Sequence, residues 1–358
     1  MENYNKNDSE AVAIRKKIEE LASINDEIEI YDIISIEEVR KFETENDIKL
    51  PDDYVWFITN VGNGGTWYDG LYRFYPLEKT YFSYEELPDY QTGEEKYSID
   101  ILSKGCSYSV GLILKGEHFG EISYNGDGMA YYKPIQLHGF KEFYLKWLEE
   151  SCLGYDELSF EYRLYGTIEE HLEQYKNTPD INLLWSIFSK INKRCATKQF
   201  VSDVYSVFVS ETENKNKVML AKILIKSGYE DTFSVLNAIF IPENYETIVW
   251  ELHSCVHYFK KWLDADGVMK DAPKYYSMLV KIMKYYETAK KREHFGYCFN
   301  MTVMNPKFNE KDIIGVLTSD DEEIVKYLAI SVYKKNILNR VGKYVDEAKI
   351  KYKRIKES

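Results

Sequence analysis

Residues 36–65 read IEEVRKFETENDIKLPDDYVWFITNVGNGG, an order that predicts two helices separated by a proline step and closed by glycines. Ser35 precedes the stretch and Glu38 follows three residues later, the capping-box spacing in which the hydroxyl and the carboxylate each take a backbone N–H at the helix start. Ile36, Val39 and Phe42 share one face of the first helix. Pro51 has no amide hydrogen and a preset φ, so it suits the first turn of the second helix, with Asp52 and Asp53 beside the positive end of the helix dipole. Tyr54, Phe57, Ile58 and Val61 give that helix a face to bury. Gly62, Gly64 and Gly65 end it, because glycine alone reaches positive φ without a Cβ clash.

Working outward, Ala11, Ile14, Ile18 and Leu21 recur at helical spacing, so 1–30 reads as an N-terminal helical segment. After the glycines the period shortens. Strands are expected over 66–77, 98–101, 109–114, 120–124 and 130–135, with 115–120 and 125–128 as hairpin connections. Phe140, Phe143, Tyr144, Trp147 and Leu148 then place a stripe of large apolar side chains on one face of a closing helix. The junction between domains is expected at 154–159, giving domains 1–153 and 154–358. Beyond it, segments around 167–177, 180–193, 197–211, 216–227, 229–240, 244–263, 273–290, 309–318, 321–334 and 337–356 are helical in pattern. Thr167 with Glu170 repeats the capping box, and Asp180 and Asn309 suit N-caps.

Charge is divided unevenly along the chain. Residues 1–150 hold 15 Lys and Arg against 30 Asp and Glu, net −15, while residues 151–358 hold 31 against 29, net +2. An acidic domain of this kind repels nucleic acid and anionic membrane and steers a basic partner towards itself. A solvated acidic surface that serves only solubility is the plainer reading of the same count. The 32 tyrosines are the compositional outlier. The five cysteines (Cys106, Cys152, Cys195, Cys255, Cys298) are scattered with no CxxC, so they read as reduced thiols. No signal-peptide core and no membrane-spanning run is present in the sequence, and a cytoplasmic location is expected.

Few residues carry a signature of catalysis. HSCVH at 253–257 sets His253 and His257 one turn apart on a helix, but Ser254 stands where a metalloprotease needs glutamate, and Cys255 points off that face. DADG at 264–267 lacks the spacing of a calcium loop. No phosphate loop, dinucleotide fingerprint or nucleophile elbow occurs. The basic stretch 343–356 fits an amphipathic terminal helix. No metal and no cofactor are expected.

Three landmarks in one order, LPDDYVWFITNVGNGG at 50–65, GCSYSVGLILKGEHFGEI at 105–122 and GFKEFYLKWLEE at 139–150, resemble the SUKH superfamily, the fold of fungal cell-wall-synthesis regulators and bacterial toxin-immunity proteins. The chain departs from relatives that carry a Trp after the second hairpin glycine, having Ile122 and Ser123 there. The resemblance covers about the first 153 residues and implies an α+β fold: a SUKH-like mixed α/β domain with a twisted, mainly antiparallel sheet flanked by helices. An all-α domain follows, either an irregular bundle or HEAT-like, since 309–335 resembles a HEAT-type helical hairpin. The resemblance further implies a non-enzymatic protein-binding protein. The first expectation is an immunity protein that neutralises a cognate toxin, such as a basic nuclease, by stoichiometric occlusion, with no nucleic-acid or membrane partner. A regulator or scaffold of the fungal type, and an enzyme hidden in the helical half, are the alternatives. The expected contact residues lie between the landmarks: Trp67, Tyr68, Asp69 and Tyr72, then Tyr84, Glu85, Glu86, Asp89 and Tyr90 in an acidic aromatic loop. Aromatics anchor an interface at low entropic cost and carboxylates pair with a partner's cations.

Overall fold

Local capping places the first helices. The computed structural model describes residues 4–68, 72–87, 91–126, 129–131, 139–156, 160, 163–257, 272–330 and 335–357. By packing, the chain divides into two units, Met1–Cys195 and Ala196–Ser358. In the first, α1 (Ser9–Ile24) starts on the Asp8 carboxylate, which accepts from the amides of Glu10 and Ala11 at 2.9 and 3.0 Å. The short strand β1 (Glu29–Ile30) leads to α2 (Ile36–Asn46), whose expected capping box is present: Ser35 Oγ accepts from the Glu38 amide at 3.2 Å, and Glu38 Oε2 accepts from the Ser35 amide at 2.8 Å.

Of the expected face of α2, Val39 is buried and Phe42 packs partly buried against the core, but Ile36 is 42% exposed, and Glu43, four residues after Val39, is buried in addition. The proline step explains this. Leu50, ahead of Pro51, is held off the helix, and its buried amide is satisfied by Glu43 Oε1 at 2.8 Å. Pro51 itself is the N-cap of α3 (Asp52–Asn60), one position ahead of the first turn. After α3 the chain reverses at Gly64 (φ +96°), and Gly65 lies so close to β1 that a Cβ there would stand 2.1 Å from the Glu29 carbonyl oxygen.

The strands that follow are β2 (Gly65–Tyr68), β3 (Tyr72–Phe74), β4 (Tyr81–Leu87), β5 (Gln91–Ser103), β6 (Tyr108–Ile113), β7 (Ile122–Gly126) and β8 (Met129–Tyr131). The run 66–77, expected as one strand, is two strands paired antiparallel with Tyr68 opposite Tyr72, which satisfies the backbone groups of each against the other. The segment expected as an acidic aromatic loop is strand up to Leu87. All neighbouring pairs are antiparallel except β4 with β8. The long strand β5 pairs with β3 and β4 along one edge and with β6 along the other, so β5–β4–β8–β7–β6 closes on itself. Closure removes the open edges that invite unwanted pairing.

The two faces of this ring carry different chemistry. Ile99, Val110, Leu112 and Ile122 face the helices and join the core. The alternate positions are buried yet polar: Ser83, Ser98, Ser109, Ser123 and Asn125. They satisfy one another around Asp100, whose carboxylate accepts from Ser83 Oγ at 3.0 Å and from Asn125 Nδ2, while Asn125 also donates to Ser98 Oγ at 2.9 Å. Burial raises the Asp100 carboxyl above the usual range, and hydrogen bonds from Asn125, Ser109 and Ser83 oppose the rise. Ser83 also explains why β4 was hidden in the sequence. Its inward side chain is polar, so the apolar alternation that marks a strand is missing.

α4 (Phe140–Cys152) buries Phe140, Phe143, Tyr144, Trp147 and Leu148 as expected. Phe57 of α3 and Phe140 meet edge-on at 5.0 Å, and Phe74 of β3 stacks on Phe140 at 5.3 Å, joining helix, sheet and helix through rings that each contribute roughly 2–3 kcal/mol by burial. Asp53 Oδ2 accepts from the Lys141 amide at 3.0 Å, so the acid at the start of α3 also caps α4.

The first unit continues through α5 (Ile168–Asn177), on its Thr167–Glu170 capping box, and α6 (Ile181–Lys190), capped by Asp180. The junction expected at 154–159 lies inside this unit. Glu150 at the end of α4 pairs with Arg163 Nη2 at 2.6 Å and with Lys190 Nζ at 2.9 Å, and all three side chains are buried.

The second unit is helical: α7 (Lys198–Ser210), α8 (Asn214–Lys226), α9 (Thr232–Ala238), α10 (Tyr245–His257), α11 (Tyr276–Tyr286), α12 (Phe295–Met304), α13 (Ile314–Leu317), α14 (Glu322–Ile330) and α15 (Lys335–Glu357). Asn309 caps a 3-10 turn ahead of α13 rather than an α-helix. α12 was not expected. FGYCFNMTVM is apolar nearly all round, so it shows no amphipathic period, and it buries Phe295, Cys298, Phe299, Met301, Thr302 and Val303. The α+β reading holds: a mainly antiparallel sheet with helices, followed by a helical part.

Candidate protein-binding groove

The expected contact residues fall into two places. Trp67 and Tyr68 end β2 and Tyr72 begins β3, while Tyr84, Glu85 and Glu86 lie on β4. Asp69, Asp89 and Tyr90 lie outside the described residues, as do the side chains of Trp67, Tyr68, Tyr72, Glu85 and Glu86. Tyr84 is half-buried. Register separates the two groups. Phe74 of β3 is opposite Leu102, whereas Glu86 of β4 is opposite Thr92, so they meet β5 about 33 Å apart at roughly 3.3 Å per residue.

A groove of about 710 Å³ opens elsewhere on the first unit, between the loop 31–34, the outward face of α2, and the turn at 76–79. Its construction starts at Asn63, in the glycine turn. Buried Asn63 donates its amide to the Asp32 carbonyl at 3.2 Å, accepts from the Leu77 amide at 2.9 Å and donates to Glu78 Oε2 at 3.2 Å. One residue therefore holds two walls in place, the loop through its backbone N–H and the turn through its side chain. The third wall is α2, where Glu38, Lys41, Phe42 and Glu45 point outward at helical spacing.

The groove is apolar within and charged at its edge. Ile34, Phe42, Pro76 and Leu77 line the interior, and Tyr31 stands beside them 38% exposed. Phe42 stacks on Phe82 of β4 at 6.2 Å, and Lys96 crosses the Phe82 ring at 4.3 Å while donating to the Asn46 carbonyl at 3.0 Å at the end of α2. Asp32, Glu38, Glu45 and Glu78 face Lys41 and Lys79 around the rim, an excess of two negative charges. Lys41 Nζ lies 3.8 Å from Glu45 Oε1 with both side chains exposed, a pair of small energetic weight. Glu38 is held below the usual carboxylate range by the backbone N–H and hydroxyl of Ser35.

These residues were not singled out in the sequence because they come from three segments. Of the groove's α2 wall, the sequence marked only Glu38, as a capping residue, and Phe42, on the apolar face. In the second unit, Trp250 and His253 of α10 meet His294 and Tyr297, with His253 stacked on Tyr297 at 3.8 Å and Trp250 at 5.1 Å from His294. The side chains of Cys255 and His257 lie outside the described residues. Among the described residues no group of three His, Cys, Asp or Glu is placed to hold a metal ion, and no helix is long and apolar enough to cross a membrane.

Comparison with known proteins gives one finding. Residues 33–144 match the SMI1 / KNR4 family (SUKH-1), a segment that runs from the loop of the groove into α4. No curated protein and no solved structure matches the chain.

Proposed function

We propose, from the SUKH domain that residues 33–144 form, that this chain acts by binding another protein, as an immunity protein that occludes a cognate toxin one to one. The observation that carries the reading is the charge. Residues 33–144, the segment that matches the family, hold 10 Lys and Arg against 19 Asp and Glu, net −9 of the −15 carried by residues 1–150, and carboxylates predominate around the groove there. A basic partner is drawn to such a surface faster than a neutral one, because the summed field guides diffusional encounter. For a toxin of basic character, such as a nuclease, fast capture lets the inhibitor outrun the substrate. The residues at the end of β2, the start of β3 and along β4 take part in the contact in this reading, and the helical unit extends or regulates it.

The test is calorimetry and co-purification with the toxin-like product of the adjacent gene, together with survival of cells that express it. A 1:1 complex and protection are expected. Absence of both for every neighbouring product would overturn the immunity reading. Several unrelated partners, with a defect in cells that lack the protein and meet no toxin, would favour a regulatory scaffold instead.

A further inference from the structure

We infer that the groove between the 31–34 loop, α2 and the 76–79 turn takes a protruding segment of the partner in which an apolar residue is flanked by Lys or Arg. This rests on the protein-binding reading and adds to it which surface is used and what enters it. Three observations carry it. The interior offers Ile34, Phe42, Pro76 and Leu77 to an apolar side chain, and the exposed Tyr31 supplies a rigid aromatic edge at small entropic cost. The rim offers four carboxylates against two ammonium groups, so a segment with cations on either side of its anchor is favoured over an acidic one. The walls are pre-formed, because Asn63 ties the loop at Asp32 to the turn at Leu77 and Glu78, which lowers the ordering cost of binding.

Dimensions agree with a short segment. Glu38 and Glu45 are seven residues apart along α2, about 10.5 Å of rise, the length of roughly three residues of extended chain. Two basic residues separated by about three positions therefore reach both carboxylates with the anchor between them over Phe42.

The full chain is exposed to a phage-displayed library of random twelve-residue peptides, and selected peptides are titrated against exposed-site variants. The expected motif is apolar with Lys or Arg on both sides. Glu45→Lys and Tyr31→Ser should each weaken the selected peptide about tenfold, and Lys41→Glu should strengthen it about threefold. Because the two charge variants shift affinity in opposite directions on one exposed helix face, misfolding cannot produce the pattern. Failure to enrich a motif, an acidic motif, or affinity untouched by all three variants would overturn the inference. So would a concentration-dependent dimer that Tyr31→Ser dissolves, since a second copy would then be the occupant. A toxin complex that forms normally with Tyr31→Ser and Glu45→Lys removes the groove assignment and leaves the protein-binding reading intact. Lack of any toxin complex beside a positive peptide result removes only the immunity reading.

Discussion

At Gly65 the fold depends on the absence of one atom. A Cβ there would meet the Glu29 carbonyl at 2.1 Å, where β1 pairs with β2, and backbone rather than a flexible side chain would have to move. Gly65→Ala should cost about 3 kcal/mol, read as a lowered denaturant midpoint with an unchanged slope. His171 gives a pH dependence. Burial, then the neighbouring Lys190 charge, holds its imidazole below the ordinary value of 6.5, so the folded state keeps it neutral while the unfolded chain takes up a proton near 6.5. Its contribution is therefore present above that pH and lost as pH falls through it; between pH 7.5 and 5.5 the loss of stability should be smaller in His171→Gln than in the parent. Glu246 in the second unit has the opposite sign. Burial pushes its carboxyl up to about 7, with the Tyr286 hydroxyl opposing and the Glu293 charge adding to the rise. That contribution is full below the unfolded value near 4.5 and is lost as pH rises through about 7, so Glu246→Gln should gain melting temperature over the parent at pH 8 and little at pH 4. At this scale the capping residues Ser35, Thr167 and Asp180 were legible, because their partners lie two or three positions away. Glu43 and Asn63 were not, since the amides they satisfy lie 7 and 14 residues along the chain.

Among elements, α4 and α6 are joined by an ionic contact that sequence spacing does not announce. Glu150 forms an ion pair with both Arg163 and Lys190, and Lys190 also donates to the Leu164 carbonyl at 2.7 Å. Removing the acid leaves two buried cations without it. Glu150→Ala should therefore cost about 3–5 kcal/mol in thermal or chemical unfolding, far more than Lys41→Glu on the exposed face of α2. The same contact is why α5 and α6 belong to the first unit although the expected boundary preceded them. β4 and α12 escaped notice for one underlying reason. β4 turns the polar Ser83 inward, and α12 is apolar on nearly every side, so each lacks the contrast between faces from which a period is read.

Over the whole molecule the charge distribution makes its own prediction. If the net −15 of residues 1–150 guides encounter, association with a basic partner should slow about tenfold between roughly 50 mM and 500 mM salt, with a smaller change in dissociation rate, as read by stopped-flow mixing. The charge itself is additive and was legible from the residues alone. So were the proline-separated helices, the glycine stop and the aromatic face of α4, because each follows from neighbours within a few turns or from a repeating period. The closure of β5–β4–β8–β7–β6, the polar layer inside it and the groove held by Asn63 were decided only by tertiary structure. Each is made by residues that are distant along the chain and adjacent in space, and a linear pattern carries no measure of that adjacency.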